Sequence, residues 1–231
     1  MMCEKCNDLG VYISGDVLKY CDKCAQGKSR IIEHVKKFSS WFDEDNLPNL
    51  ENFRTVVDEK NYQSLELAKK VCKAFAQRCV DKKKKMWVCL LGPPGCGKTH
   101  LALSTFGLLI NKMTVVYYMK SYDLEEKIKS AIGDEKYTVE SIIQTYSNVP
   151  VLILDDLGTE TNTEWNRKVF HSIIDYRYER RLFTMITSNY NLSDFEPRIS
   201  SRLSDRALCV EVQMPGVDYR RSMDRGSTIL I

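Results

Sequence analysis

Apolar positions recur at helical spacing over residues 29–42, through Ile31, Ile32, Val35, Phe38 and Phe42. The same period returns over 64–80, through Leu65, Leu67, Ala68, Val71, Ala74 and Phe75. Between them, residues 43–52 are polar, contain Pro48 and read as linker. Beyond the four lysines 82–85 the pattern becomes an alternation. Short apolar runs at 86–91, 115–119, 151–154, 183–187 and 209–212 predict buried strands, and 99–110, 122–132 and 164–181 predict helices. Strands separated by helices point to βαβ units, an α/β fold whose parallel sheet is covered on both faces.

The chain has 231 residues, 43% hydrophobic and 28% charged, ordinary for a globular protein with one full core and a small appendage. No apolar run approaches the roughly 20 residues of a membrane span, and the N-terminus carries no secretory h-region, so the cytosol is the expected compartment. A net charge of +3 is too balanced to indicate nucleic-acid binding by itself. Nine cysteines then call for thiols or metal ligands rather than disulfides.

The segment Gly92-Pro93-Pro94-Gly95-Cys96-Gly97-Lys98-Thr99 satisfies G-x-x-x-x-G-K-[ST] between an expected strand and an expected helix. Glycines let successive backbone N–H groups turn toward phosphate oxygens, and the helix N-terminus that runs on through His100 adds its dipole. Lys98 has the reach for the β- and γ-phosphates of ATP, and the Thr99 hydroxyl suits Mg²⁺. Residues 151–156 form a buried strand ending in two carboxylates, at the sheet edge where the phosphate loop also lies. Asp155 is the expected magnesium ligand and Asp156 the group that polarises the attacking water.

A third apolar strand ends in Thr187-Ser188-Asn189, where Asn189 is placed to bond the γ-phosphate or the water. Downstream, Arg198, Arg202 and Arg206 stand at steps of four, on one face of a helix.

These motifs together resemble the DnaC/DnaI-type helicase loaders of the IstB-like branch of AAA+ ATPases. The resemblance runs over most of 50–221. It rests on the phosphate loop, Leu154-Asp155-Asp156-Leu157-Gly158, Thr163-Glu164-Trp165, Tyr176-Arg177-Tyr178, Thr187-Ser188-Asn189 and Ser201-Arg202-Leu203. It implies a RecA-like core over 64–231 without the usual C-terminal helical lid, since fewer than 20 residues follow the last strand. It further implies Asn189 as sensor 1, Arg202 as an arginine finger for a neighbouring subunit, and Arg220 or Arg221 as a sensor-2-like group. The function implied is an ATPase whose nucleotide state governs self-association and the loading of a hexameric replicative helicase onto single-stranded DNA. Asp156 stands where most AAA+ proteins carry Glu. One methylene shorter, it predicts slow turnover and leaves a non-hydrolysing ATP-gated adaptor open, as the IstB likeness leaves a transposition accessory ATPase open.

Cys3-x-x-Cys6 and Cys21-x-x-Cys24, 14 residues apart, have the count and spacing of a closed Cys₄ zinc site. Residues 1–42 are therefore expected to be a zinc module with a helix, joined by a linker over 43–63. DnaI-type loaders resemble this chain in setting a zinc-bearing, helicase-contacting module ahead of the ATPase. The remaining cysteines read as buried thiols, apart from Cys96 in the phosphate loop, which is open to oxidation. Tyr117, Tyr118, Lys120, Tyr122, Lys127 and Lys129 mix aromatics with cations, which suits single-stranded DNA and suits helix packing equally well.

Overall fold

The computed structural model describes residues 3–5, 11–14, 17–23, 25–40, 46–55, 59–82, 84–133, 138–158, 164–216 and 218–219. Two short strands, β1 (Val11–Ser14) and β2 (Val17–Tyr20), pair antiparallel. Helix α1 (Ala25–Phe38) follows, then a 3₁₀ turn (Leu50–Asn52) and α2 (Glu59–Asp81). The expected alternation comes next: β3 (Trp87–Leu91), α3 (Lys98–Asn111), β4 (Val116–Lys120), α4 (Ser121–Ser130) and α5 (Val139–Asn148). It continues with β5 (Val151–Asp155), α6 (Glu164–Glu179), β6 (Phe183–Ser188), α7 (Pro197–Leu203) and β7 (Cys209–Gln213).

The five later strands form one parallel sheet in the order β4-β5-β6-β3-β7. Alternate side chains of β3 feed two cores. Val88 and Leu90 pack with Phe75, Leu101, Phe106 and Tyr118 on one face, and Trp87, Cys89 and Leu91 with Phe170 and Ile173 on the other. A sheet buried on both faces explains why its strands are apolar runs rather than alternations. The chain leaves β3 through α3 and crosses to β4 at the far edge, while β6 and β7 flank β3. That reversal opens a crevice above the carboxyl end of β3, the usual place for a ligand in such sheets.

Helix α1 starts at Ala25 and α2 at Glu59, both earlier than the apolar period alone indicates. Within the stretch expected as linker, Leu50 and Phe53 are buried in the core. Ile31 and Val35 of α1 join the same core, so this helix packs with α2, α3 and the sheet. His34 meets the Tyr117 hydroxyl at 2.7 Å, and Phe38 stacks on the Tyr117 ring. Just past α1, Ser39 and Ser40 bond the backbone of edge strand β4. The Ser40 amide donates to the Tyr118 carbonyl (2.8 Å), the Tyr118 amide to Ser39 Oγ (3.1 Å), and the Lys120 amide to Ser40 Oγ (2.9 Å).

Arg177 on α6 is fully buried and binds five acceptors without a carboxylate. Its Nε donates to Thr184 Oγ1, Nη1 to the carbonyls of Tyr146, Ser147 and Val149, and Nη2 to that of Phe183. Burial pulls its pKa down to about 9, which leaves it charged at neutral pH. No helix among the described residues is long and apolar enough to cross a membrane.

Candidate nucleotide site

The loop after β3 is held between its neighbours before any ligand arrives. Gly92 N donates to the Ser188 carbonyl at the end of β6 (3.2 Å), and Met214 N, just past β7, donates to the Leu91 carbonyl (2.6 Å). Gly95 and Gly97 have φ of +84° and +93°, a region side chains avoid. A Cβ on Gly95 would lie 2.2 Å from Asp218 Oδ1, and one on Gly97 2.8 Å from the Phe53 ring. Glycine is required at both for backbone reasons, which is what an inward-facing N–H cradle needs.

Lys98, the first residue of α3, is 4% exposed and folds back over the loop. Its Nζ donates to the carbonyls of Gly92 (2.7 Å) and Pro93 (2.9 Å) and to Asn189 Oδ1 (2.9 Å). Among the described residues the hydrogen-bond partners of this buried ammonium are neutral acceptors, and phosphate oxygens would bring it a direct counter-charge. Asn189, reached from the end of β6, thus shares the lysine that spans the loop. Cys96 is fully buried, and burial raises its thiol pKa while the Lys98 ammonium opposes the rise. Burial and a raised pKa both work against the oxidation expected of Cys96, while the Lys98 ammonium 3.6 Å from its sulfur works for it.

Thr99 Oγ1 stands 3.2 Å from Asp155 Oδ1, across from the end of β5. Asp155 is fully buried and receives two further hydroxyls, Thr187 on Oδ1 (2.6 Å) and Tyr118 on Oδ2 (2.6 Å). Burial first, and the neighbouring carboxylate second, push the Tyr118 phenol far above its ordinary pKa, so it keeps its proton and donates it to Asp155. A threonine hydroxyl and a carboxylate side by side are hard oxygen ligands of the kind Mg²⁺ takes. Asp156 follows in the left-handed region, φ +56°. Its backbone is pinned by Thr187 Oγ1 accepting from its N–H (2.9 Å) and by Ser121 Oγ donating to its carbonyl (2.6 Å).

Asp156 and Asn189 line a cavity of about 340 Å³ together with Gly95, Lys98, Thr99 and His100. A second recess of about 180 Å³ adjoins it, walled by Phe53, Arg54, His100 and Tyr219. The Tyr219 N–H donates to the Gly95 carbonyl (3.1 Å), its hydroxyl to that of Arg54, and its ring lies 5.9 Å from Phe53. Phe53, Tyr219, Tyr118 and Thr187 belong to the site and were not singled out as site residues from the sequence. Of these, the sequence marks Thr187 only within the Thr187-Ser188-Asn189 strand end, and Tyr118 only as a candidate for DNA.

Arg202 does not line this cavity. On α7, its Nε is 3.3 Å from Asp175 Oδ1 and its guanidinium lies 4.7 Å over the Tyr178 ring, while Arg198 takes the other Asp175 oxygen (2.5 Å). Of the four knuckle cysteines, Cys6 and Cys24 lie outside the described residues, as do Arg220 and Arg221. Cys3 Sγ and Cys21 Sγ are 3.7 Å apart. Tyr117 and Tyr118 are buried and committed to packing and to Asp155, so neither is available to stack a base. Lys129 pairs with Glu125 and Glu126. Of that mixed segment Tyr117 and Tyr118 are core, Lys127 is half-buried, and Lys120, Tyr122 and Lys129 are exposed.

Comparison with known proteins agrees with this geometry. A sequence profile described as IstB-like ATP binding protein matches residues 27–220. The ATP-binding protein of insertion sequence IS232 from Bacillus thuringiensis subsp. berliner is 33% identical over 140 residues, 58% of this chain and 55% of that protein. The replicative helicase loader DnaC of Escherichia coli K12 is 25% identical over 115 residues, 50% of this chain and 47% of that protein. The chain thus spans about half the length of the curated relatives it matches. A crystal structure of the DnaC helicase loader superposes with a TM-score of 0.55 at 28% identity, covering 72% of this chain and 96% of that one. The five-stranded parallel sheet with helices on both faces is an AAA+ fold, and with its phosphate loop, acidic strand end and matched profile the chain belongs to the family of IstB-like ATP binding proteins.

Proposed function

We propose that this protein binds and hydrolyses Mg-ATP, and that its nucleotide state controls the loading of a hexameric replicative helicase onto single-stranded DNA. The observation that carries the nucleotide reading is Lys98, a buried ammonium bridging the loop carbonyls and Asn189 beside the Thr99–Asp155 pair. In this reading the loop amides and Lys98 hold the phosphates, and Thr99 and Asp155 hold Mg²⁺, which would supply charge neutralisation at the γ-phosphate. Asp156 orients and deprotonates the attacking water, Asn189 bonds the water or the γ-phosphate, and the ring of Phe53 or Tyr219 flanks the base. His100 lies beside the Phe53 ring, and Arg220, outside the described residues, is proposed as a further phosphate contact.

Arg202 acts in trans, on a neighbour's nucleotide. Its absence from its own cavity fits that role, and leaving Asp175 and Tyr178 is the conformational cost of assembly. Zinc held by Cys3, Cys6, Cys21 and Cys24 belongs to this reading, although the described residues include no group of three or more His, Cys, Asp or Glu that could hold a metal. One distance is compatible with it. Sulfurs about 2.3 Å from a tetrahedral zinc lie about 3.8 Å from each other, and Cys3 and Cys21 are 3.7 Å apart, far beyond a disulfide.

The decisive measurement is calorimetry with Mg-ATP. Lys98→Ala should lower affinity at least about a hundredfold, and a variant that binds like the wild type would remove the site. For the partner, a purified hexameric replicative helicase should be retained by the wild type and lost on Cys21→Ser. A second reading, an accessory ATPase for transposition, draws on the higher identity to the IS232 protein. Retention of a transposase and not of the helicase would make it the correct one.

A further inference from the structure

The carboxylate that ends β5 is served by three hydroxyls, and they are not equivalent. Thr99 makes the longest contact, 3.2 Å, and is the group a magnesium ion would claim. Thr187 and Tyr118 each lie at 2.6 Å, on opposite oxygens. An ionised carboxylate accepts at about four positions; these two donors fix its plane whichever way Thr99 turns.

Thr187 comes from the adjacent strand of the same nucleotide face and also accepts the Asp156 N–H. Tyr118 comes from the edge strand and has no place in the phosphate chemistry. Its ring is 1% exposed and packs against Phe106, and its backbone is bonded on both sides by the segment after α1, through Ser39 Oγ and the Ser40 N–H. One residue therefore touches the metal carboxylate with its side chain and the N-terminal segment with its main chain.

We propose that Tyr118 is a positioning residue for the magnesium site, and that the docking of residues 39–40 on the sheet edge reaches Asp155 through it. This rests on the Mg-ATP reading given above. A buried, short hydrogen bond to a charged acceptor holds Asp155 in the rotamer that faces Thr99, and its loss frees the carboxylate to turn. The fixed ladder at Ser39 and Ser40 sets where the phenol sits. Displacing that segment, as a partner pulling on the N-terminal module would, shifts Tyr118 and loosens the grip on metal without touching the phosphate loop.

Calorimetric titration with ATP, once with Mg²⁺ and once with EDTA, separates the contributions. Tyr118→Phe should weaken Mg-ATP about tenfold, the scale of one charge-assisted hydrogen bond. Binding without metal should stay within about twofold of wild type under the same conversion. Titration of Mn²⁺ into the ATP complex, followed by its paramagnetic resonance, should show the same loss of affinity. Ser39→Ala, which keeps the phenol, should move the metal-dependent value in the same direction by a smaller factor, and it serves if Tyr118→Phe does not fold. Equal weakening with and without metal, or an unchanged Mn²⁺ affinity in the folded variant, would overturn the proposal. Wild-type protein that shows no heat with Mg-ATP would instead sink the nucleotide reading on which it stands.

Discussion

At the scale of single residues, Asp156 carries the sharpest expectation. It sits in the left-handed region at φ +56°, which Asn tolerates nearly as well as Asp. Its backbone is anchored by Thr187 and Ser121, so Asp156→Asn changes charge with little change in geometry. Steady-state phosphate release should fall about a hundredfold, the usual worth of a positioned general base, while Mg-ATP affinity stays within about threefold. A variant that turns over like the wild type would move the base elsewhere. The residue chemistry was legible where it follows a linear motif, as for Lys98, Thr99 and Asp155. Tyr118 was not, because its role depends on β4 lying beside β5, and nothing local in 115–119 distinguishes a tyrosine that packs from one that bonds a carboxylate. The same ambiguity made those tyrosines candidates for DNA.

Elements tell a similar story. Strands β3, β5 and β6 appear within about a residue of the apolar runs, since double-sided burial leaves an uninterrupted hydrophobic signature. Helix α5 escaped, although Val139, Ile142, Ile143 and Tyr146 have helical spacing and Thr138 caps it by accepting the Ser141 N–H (3.2 Å). At 10 residues it is short, and of its apolar residues Tyr146 is the buried one, which weakens the period. The β1–β2 hairpin escaped as well, though Gly15-Asp16 between two β-rich tetrapeptides is a two-residue hairpin signal. One buried side chain of α6 adds to the packing that holds α5. Arg177 collects three carbonyls from the end of α5 and one from the start of β6. Arg177→Leu leaves all of them buried without a donor, so chemical denaturation should show a loss of about 3 kcal/mol or more. A loss below about 1 kcal/mol would mean that water replaces the guanidinium.

For the whole molecule, two histidines tie stability to pH. His34, packed against β4, is pushed below its ordinary pKa by burial and then by Lys37; His100, beside the phosphate loop, by burial against an opposing bond to the Asn49 carbonyl. Both are neutral in the fold, whereas the unfolded chain takes up protons near pH 6.5. Below that pH the unfolded state binds more protons, so stability is complete above about 6.5 and declines as pH falls toward the depressed folded values. Thermal denaturation at pH 7.5 and 5.5 should show the lower midpoint at 5.5, and His34→Gln should narrow the gap. A gap of unchanged size would assign the effect to other groups.

The two serines after α1 have a further consequence for how copies of this protein meet. By occupying the outer hydrogen-bonding row of β4, they close that rim to strand addition from a second molecule. At the opposite rim the short strand β7 exposes Val210 beside Glu211 and Gln213, and the two polar side chains there work against pairing. As far as the described residues go, a ring or filament of the kind proposed would join through helices and loops, leaving each sheet a separate plate. Neighbours joined in that way would tilt against each other without tearing backbone ladders, and a mechanical change at one nucleotide would pass on as rotation.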